Sequence, residues 1–309
     1  MTVSGGPRSW LRTLGRPFRI IVCDWDGTAV DNRSADATAV RERIDTLLQF
    51  GISFVVVTGT HFENIDRQLT SGISGRQKSR LFLCTNRGSE VWTWQHGQPV
   101  RTYLRSATPE EEVALTRAAD DVRDWLELHD GLSVQVVYDR LNRRKIDLIP
   151  IPDWQDPPKS AIGALRMATE ARLTRAGISG GLAEVIDHAR AAAQRAGLSD
   201  PRITSDAKHV EIGLTDKSDS MDWILRELAI PRDIATRDIL VAGDEFGEVA
   251  ASPGSDSLLM TKSADGAVFV TVGPEPYGVP PGVIHLAGGP RRFLDLLDSQ
   301  IQLRRSEDQ

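Results

Sequence analysis

The stretch Phe18-Arg19-Ile20-Ile21-Val22-Cys23-Asp24-Trp25-Asp26-Gly27-Thr28 joins an apolar run to a pair of carboxylates. The run, Phe18 to Cys23, reads as a buried strand. Asp24 and Asp26 then fall where that strand ends, and Gly27 permits a sharp turn. Ligands of open α/β sheets bind at the carboxyl edge of the strands. At such an edge Asp24 could attack phosphorus while Asp26 handles protons, a division of labour suited to phosphoryl transfer through an aspartyl-phosphate. Asp-x-Asp-Gly is also a common surface turn, and it can open a calcium loop. The calcium reading fails because Gly27 comes too early and the twelfth position, which needs a bidentate Glu, is Ala35.

Outward from this stretch, strand and helix patterns alternate. Ala35 to Phe50 has helical spacing at Val40, Ile44, Leu47 and Leu48, and stops at Gly51. Ile52 to Val57 is a second apolar strand, ending in Thr58-Gly59-Thr60, and His61 to Leu69 a helix. Arg80 to Cys84 is a third strand, followed by Thr85-Asn86-Arg87-Gly88. Near-continuous apolar strands separated by helices imply a parallel sheet covered on both faces. Glu90 to Trp94 and Pro99 to Leu104 alternate around Gln95-His96-Gly97-Gln98, as a hairpin does.

The middle of the chain changes character. A long amphipathic helix is expected over Pro109 to Leu128, then strands over Leu132 to Tyr138 and Lys145 to Ile151 joined by a basic turn, Asp139 to Arg144. Helices over Lys159 to Ala176 and Leu182 to Ala196 precede strand-like pieces at Arg202 to Ser205 and His209 to Leu214. Ser218 to Leu228 resumes the helix pattern, Ile239 to Ala242 and Ala267 to Val272 are further core strands, and Pro290 to Leu303 is a terminal helix. The expected architecture is α/β: a doubly wound, Rossmann-like parallel-sheet core interrupted by an inserted α+β cap with an antiparallel sheet. The core spans residues 18–105 and 214–309, the cap 106–213, and residues 1–17 form a loose, flexible tail.

Bulk properties narrow the classes. At 309 residues the chain can bury a large core. Its 40% apolar and 26% charged content are ordinary for a globular protein, and its net charge of -6 argues against general nucleic-acid binding. No apolar stretch approaches a membrane span. Met1 to Arg16 is basic without a contiguous apolar segment, unlike a signal peptide. Cys23 and Cys84 each end a strand-like run and are expected as small buried hydrophobes, so a reducing cytoplasm fits.

Four strand ends carry polar residues. Besides Asp24 and Asp26, Thr58 offers a hydroxyl, and Gly59 and Thr60 offer backbone N–H groups that could hold a phosphoryl oxygen. Thr58 also suits a helix N-cap. Lys217 opens a helix, where a cation opposes the helix dipole, so an anionic partner explains it better than helix stability. Gly243-Asp244-Glu245 directly follows Ile239 to Ala242. Acids crowded at a strand end are costly unless they share a cation, and Mg²⁺ favours such hard oxygen ligands.

The order Asp-x-Asp-Gly-Thr, Thr-Gly, Lys, Gly-Asp-acid resembles the haloacid dehalogenase (HAD) superfamily. The resemblance implies Asp24 as nucleophile, Asp26 as general acid and base, Thr58 and Lys217 as holders of the phosphoryl group, and Asp244 as a Mg²⁺ ligand together with Asp24 and the backbone carbonyl of Asp26. The distal acid of the fourth motif stays open among Asp256, Glu248 and Glu245, in that order of preference. The cap position resembles the type IIB branch, with its Cof-like, sucrose-phosphate, trehalose-phosphate and phosphomannomutase members. Val57 to Ile65 and Asn86-Arg87-Gly88 are similar to the phosphomannomutase core, whereas Arg140 to Pro150 only faintly echoes that family's cap. Thr271-Val272-Gly273-Pro274-Glu275-Pro276 resembles the tail of sugar-phosphate phosphatases. Trp25 stands where smaller residues are usual, with its side chain expected to point away from Asp24.

In this branch the cap selects the substrate. Arg140, Arg143 and Arg144 at the basic turn could clasp a sugar or a second anion, or could form a solvated turn. His61 could touch substrate or sit on the surface, and Lys208 and His209 could face the cleft. The expected function is a Mg²⁺-dependent phosphatase of a small phosphorylated metabolite, most simply a sugar phosphate, with neither nucleic acid nor membrane as partner. A phosphohexomutase and a catalytically silent binding protein are the alternatives. The oligomeric state is left open.

Overall fold

Successive residues of the core strands enter two different hydrophobic cores, which explains why the strands are apolar throughout. Ile21 and Cys23, Phe54 and Val56, Leu81 and Leu83, and Leu240 and Ala242 belong to one core. Ile20 and Val22, Val55 and Val57, Phe82 and Cys84, and Ile239 and Val241 belong to the other. A strand whose side chains alternate between two buried faces has no polar face to show.

The computed structural model describes residues 12–129, 131–154, 161–249, 252–276 and 278–307. The chain runs β1 (Ile20–Cys23), α1 (Thr38–Gln49), β2 (Ser53–Val57), α2 (Phe62–Gln68), β3 (Leu81–Thr85), β4 (Glu90–Gln95) and β5 (Gln98–Leu104). It continues with α3 (Pro109–Glu127), β6 (Gln135–Arg140), β7 (Arg143–Asp147), α4 (Ile162–Arg175), α5 (Gly181–Arg195), β8 (Arg202–Ser205) and β9 (His209–Gly213). It ends with α6 (Lys217–Trp223), β10 (Ile239–Gly243), β11 (Val268–Thr271), β12 (Val283–His285) and α7 (Gly289–Glu307). A π-helical turn, Ile224–Ala229, continues α6 where an unbroken helix was expected.

Two compact units result: Met1–Leu104 with Lys217–Gly247 and Asp256–Gln309, and Arg105–Asp216 with Glu248–Ser255. The second is slightly wider than the expected insert and takes in a short ribbon, Glu248–Val249 against Ser252–Pro253, that the sequence reading left in the core.

In the first unit an eight-stranded sheet runs β12-β11-β10-β1-β2-β3-β4-β5. All pairs from β12 to β3 are parallel, and β4 and β5 are antiparallel additions. The turn between β4 and β5 is His96-Gly97, both left-handed (φ 52° and 78°), the backbone that a two-residue hairpin of right-handed twist requires. The expected loose tail is partly docked. Residues 1–11 lie outside the described residues, but Leu14 is buried, and Gln300 Nε2 donates to the carbonyls of Leu14 and Arg16 at 3.2 Å each. Arg16 also pairs with Asp238 at 3.1 Å.

In the second unit a four-stranded antiparallel sheet, β6-β7-β9-β8, shares a core with α3 and α5. The α3 helix starts with a reciprocal cap: Thr108 Oγ1 accepts from the Glu111 N–H at 3.2 Å, and the Glu111 carboxylate accepts from the Thr108 N–H at 2.9 Å. Lys208 and His209, considered above for the cleft, are drawn into a charge network of this unit. Asp147 receives Lys208 Nζ at 2.6 Å, and Asp206 lies 2.8 Å from His209 Nδ1. His209 Nε2 is 3.5 Å from Asp147.

Burial alone would lower the His209 pKa, but Asp206 and Asp147 outweigh it and hold the imidazole above its ordinary value. Burial would raise Asp206 and Asp147, yet His209 and, for Asp147, Lys208 carry both below the usual carboxylate range. The His209 contribution to stability is therefore complete below about pH 6.5 and lost as pH rises through its raised value. The Asp contributions are complete above the ordinary carboxylate range and lost as pH falls through the depressed values. His209→Gln is expected to destabilise the protein by about 2 kcal/mol near pH 6, with the gap narrowing as pH rises. Denaturant unfolding at pH 6 and pH 9 checks this, and equal deficits at both would contradict it.

Candidate active site

From β1 the chain winds through β2 and β3 to one side of the sheet, and from β10 through β11 and β12 to the other. The gap beyond the carboxyl ends of β1 and β10 is therefore a topological switch point, the position at which open α/β sheets bind ligands. Asp24 leaves β1 there, its N–H donating to the carbonyl of Ala242 at 3.0 Å. Asp244 leaves β10 there and accepts from Thr28 Oγ1 at 3.2 Å.

The turn between the paired acids is braced from below. Trp25 is fully buried, and its Nε1 donates to Gln68 Oε1 at 2.8 Å. Gln68 Nε2 in turn donates to the carbonyls of Ala35 (2.8 Å) and Asn32 (3.1 Å). Gly27 takes φ 91°, a conformation suited to glycine, and its N–H meets the carbonyl of Val30 at 2.6 Å. The bulky Trp is thus a wedge under the loop, and Asp26 is left half-buried above it.

Asp24, Asp244 and Asp256 each bring a carboxylate oxygen within 4.8 Å of the others. Lys217, at the start of α6, lies between two of them, donating to Asp24 Oδ1 at 2.8 Å and Asp256 Oδ1 at 2.7 Å. Its side chain is 4% exposed. Burial alone would lower the Lys217 pKa, but the charges of Asp24 and Asp256 outweigh it and hold the ammonium above its ordinary value. The cation at the head of α6 therefore has its anionic partners in Asp24 and Asp256.

Asp256 is fully buried because the chain doubles back: its N–H donates to the carbonyl of Glu245 at 3.0 Å. Its Oδ2 accepts the N–H groups of Asp244 and Glu245, both at 2.9 Å. The next two amides, Phe246 and Gly247, donate to Glu275 at 2.7 and 2.8 Å. Thr271 Oγ1 braces Glu275 at 2.7 Å. Two carboxylates thus catch four successive amides and fix the loop that carries Asp244. Two glycines make room for it. A Cβ on Gly243 would come 2.3 Å from Asp256 Oδ2, and one on Gly273 would come 1.9 Å from the carbonyl oxygen of Asp244. Of the other two acids considered for this place, Glu245 is half-buried and Glu248 is exposed in the ribbon of the second unit. Neither belongs to the three-carboxylate group.

Thr58 is buried, its N–H donating to Cys84 O at 2.9 Å and its Oγ1 accepting from the Thr60 N–H at 3.3 Å. It is not the N-cap of α2, which begins at Phe62 with His61 before it. Gly59 and Thr60 follow Thr58 in this loop, where Thr60 Oγ1 accepts from Asn64 at 2.7 Å. The His61 side chain is 45% exposed and reaches toward Glu63 at 3.9 Å.

The basic turn of the second unit is shorter than expected. It is Leu141-Asn142 alone, so Arg140 ends β6 while Arg143 and Arg144 begin β7. Arg143 and Arg144 are buried, not solvated at a tip. Arg144 pairs with Glu112 and donates to Thr116 from Nη2 at 3.1 Å, and Arg143 lies 3.7 Å from Glu211. Arg140 is half-buried.

The donor set at the switch point fits a hard divalent cation. Three carboxylates face one ammonium, leaving excess negative charge in a buried place, and oxygen is the ligand Mg²⁺ prefers. Asp256 Oδ2 already receives two N–H groups, so its ligating atom would be Oδ1, shared with Lys217. Gln68 escaped the sequence reading, and Glu275 entered it only as part of the stretch Thr271 to Pro276, with no role of its own. Glu275 lies between two prolines and Gln68 inside a helix, and neither context announces an acceptor for distant groups. Cys23 and Cys84 are free and buried, and burial pushes the Cys84 thiol up to about 12. Among the described residues no helix is long and apolar enough to cross a membrane.

No protein-family model and no curated protein matches the chain. Solved structures do. N-terminally truncated IMP-nucleotidase of Plasmodium falciparum matches at 10% identity and TM-score 0.59, over 94% of this chain and 72% of that one. Its IMP-bound form matches at 10% identity and TM-score 0.57, over 93% and 69%. Trehalose-6-phosphate phosphatase of Aspergillus fumigatus matches at 14% identity and TM-score 0.56, over 96% of each chain. The chain therefore has the HAD fold: a doubly wound core with an α+β insertion.

Proposed function

We propose that the protein is a Mg²⁺-dependent phosphatase of a small phosphorylated metabolite, with a sugar phosphate as the simplest substrate class. The reading is carried by Lys217 held between Asp24 and Asp256 at the switch point, with Asp244 in the same carboxylate group. Similarity of fold to two phosphatases of phosphorylated small molecules supports it.

Asp24 attacks phosphorus in line, forming the aspartyl-phosphate as the bond to the substrate oxygen breaks. Asp26 gives its proton to that departing oxygen and then takes one from water, which attacks the phosphoryl group and frees Asp24. Thr58, the loop amides of Gly59 and Thr60, and Lys217 hold the phosphoryl oxygens. Asp24, Asp244, Asp256 and the backbone carbonyl of Asp26 would hold Mg²⁺, which supplies charge neutralisation between Asp24 and the incoming phosphate. A panel of phosphorylated metabolites, assayed with and without Mg²⁺ for released phosphate, tests the reading. Mg²⁺-dependent release from a sugar phosphate is expected. No turnover anywhere would overturn it, and an isomerised ester in place of phosphate would make the protein a mutase.

A further inference from the structure

The turn after β3 is unusual backbone. Asn86 (φ 51°), Arg87 (φ 54°) and Gly88 (φ 85°) are three successive left-handed residues. Asn and Gly accept this region readily, whereas for Arg it costs energy that the surroundings must supply. They do so from two sides. Buried Glu90 accepts from Asn86 Nδ2 at 2.7 Å and Thr85 Oγ1 at 3.3 Å, while its other oxygen pairs with Arg101 at 3.0 Å. The Asn86 N–H donates to the carbonyl of Thr60 at 2.8 Å, and the Arg87 N–H to that of Thr58 at 3.1 Å. The turn is thereby stitched to both neighbours of Gly59.

The consequence is the position of one cation. The half-buried Arg87 side chain lies along Gly59, where a Cβ would meet its Cγ at 3.6 Å, Nε at 3.7 Å and Cζ at 3.8 Å. A guanidinium therefore rests on the loop that holds the phosphoryl group in the reading above. The left-handed backbone fixes the direction in which the Arg87 side chain leaves the turn, and such strained positions cluster at ligand sites. The planar fork of Arg is matched to carboxylate and phosphate.

We infer that Arg87 determines specificity by pairing with a second anionic group of the substrate, a carboxylate or a second phosphate. The inference rests on the phosphatase reading and narrows its substrate class to phosphorylated metabolites with two anionic groups. Matched probes test it: glucose 6-phosphate against 6-phosphogluconate, and fructose 6-phosphate against fructose 1,6-bisphosphate. The wild-type enzyme is expected to prefer the doubly anionic member of at least one pair by about tenfold or more in kcat/KM, mainly through KM. Arg87→Gln is expected to erase that preference, and Arg87→Lys to restore part of it. No preference in the wild type, a preference that survives Arg87→Gln, or an equal loss on both members of a pair overturns the inference. Absence of any phosphate release by the wild-type enzyme, including from p-nitrophenyl phosphate, overturns the phosphatase reading itself and this inference with it.

Discussion

Asp24→Asn is expected to lower phosphatase turnover by at least about 10⁴-fold, since removal of the proposed nucleophile would leave only binding and electrostatic assistance. The substitution keeps the shape of the side chain and an oxygen that can still accept from Lys217. The ammonium also keeps Asp256, 2.7 Å away, so the fold should survive. Thermal unfolding within a few degrees of wild type, alongside lost phosphate release, is the expected pair of results. Activity retained in a clean preparation would remove Asp24 from the role of nucleophile.

Lys217→Met should act on stability as strongly as on activity. The ammonium offsets Asp24 and Asp256 in a place where Asp256 is fully buried. Removing one partner of a buried charge cluster leaves the rest uncompensated, at a cost of about 3–5 kcal/mol. The sign with pH follows from the shifts. The Lys217 pKa is raised, so its contribution is complete below its ordinary value of 10.5 and fades only as pH rises through the raised value. Burial pushes the Asp256 carboxyl upward, and without Lys217 that push is less opposed. The deficit of the variant should therefore be largest at neutral and higher pH, and shrink in acid as a carboxyl takes up a proton. Denaturant unfolding of both proteins from pH 5 to pH 8 measures it. Equal stability at pH 8 would mean that Lys217 does not neutralise this cluster.

The fold was legible because burial on both faces leaves a plain trace: Phe54, Val55, Val56 and Val57 are all apolar, yet they pack alternately into two cores. The gathering of Asp24, Asp244 and Lys217 in one candidate site was legible in part because polar residues that end such strands stand out. What the sequence concealed lies in contacts between distant positions. Arg144 read as a turn residue, either clasping substrate or solvated, because Glu112 and Thr116, its partners, sit on a helix more than a score of residues earlier. The choice among Glu245, Glu248 and Asp256 depended on a chain reversal that no periodicity records. Glu275 serves two amides whose need for an acceptor arises only once the loop has folded.

The loop that follows β10 also sets limits for redesign. Asp256 and Glu275 hold its four amides, and Gly243 and Gly273 leave no volume for even a methyl group. Enlarging Gly273 would press on the Asp244 backbone, and enlarging Gly243 would press on the Asp256 carboxylate, before either touched any substrate. Effort to change what this protein accepts is better spent elsewhere. In the turn at Asn86-Arg87-Gly88, Asn86 is tied to Glu90 and Gly88 is left-handed, which leaves Arg87 as the position to vary. The loop after β10 is a fixed socket, and Arg87 is the exchangeable bit.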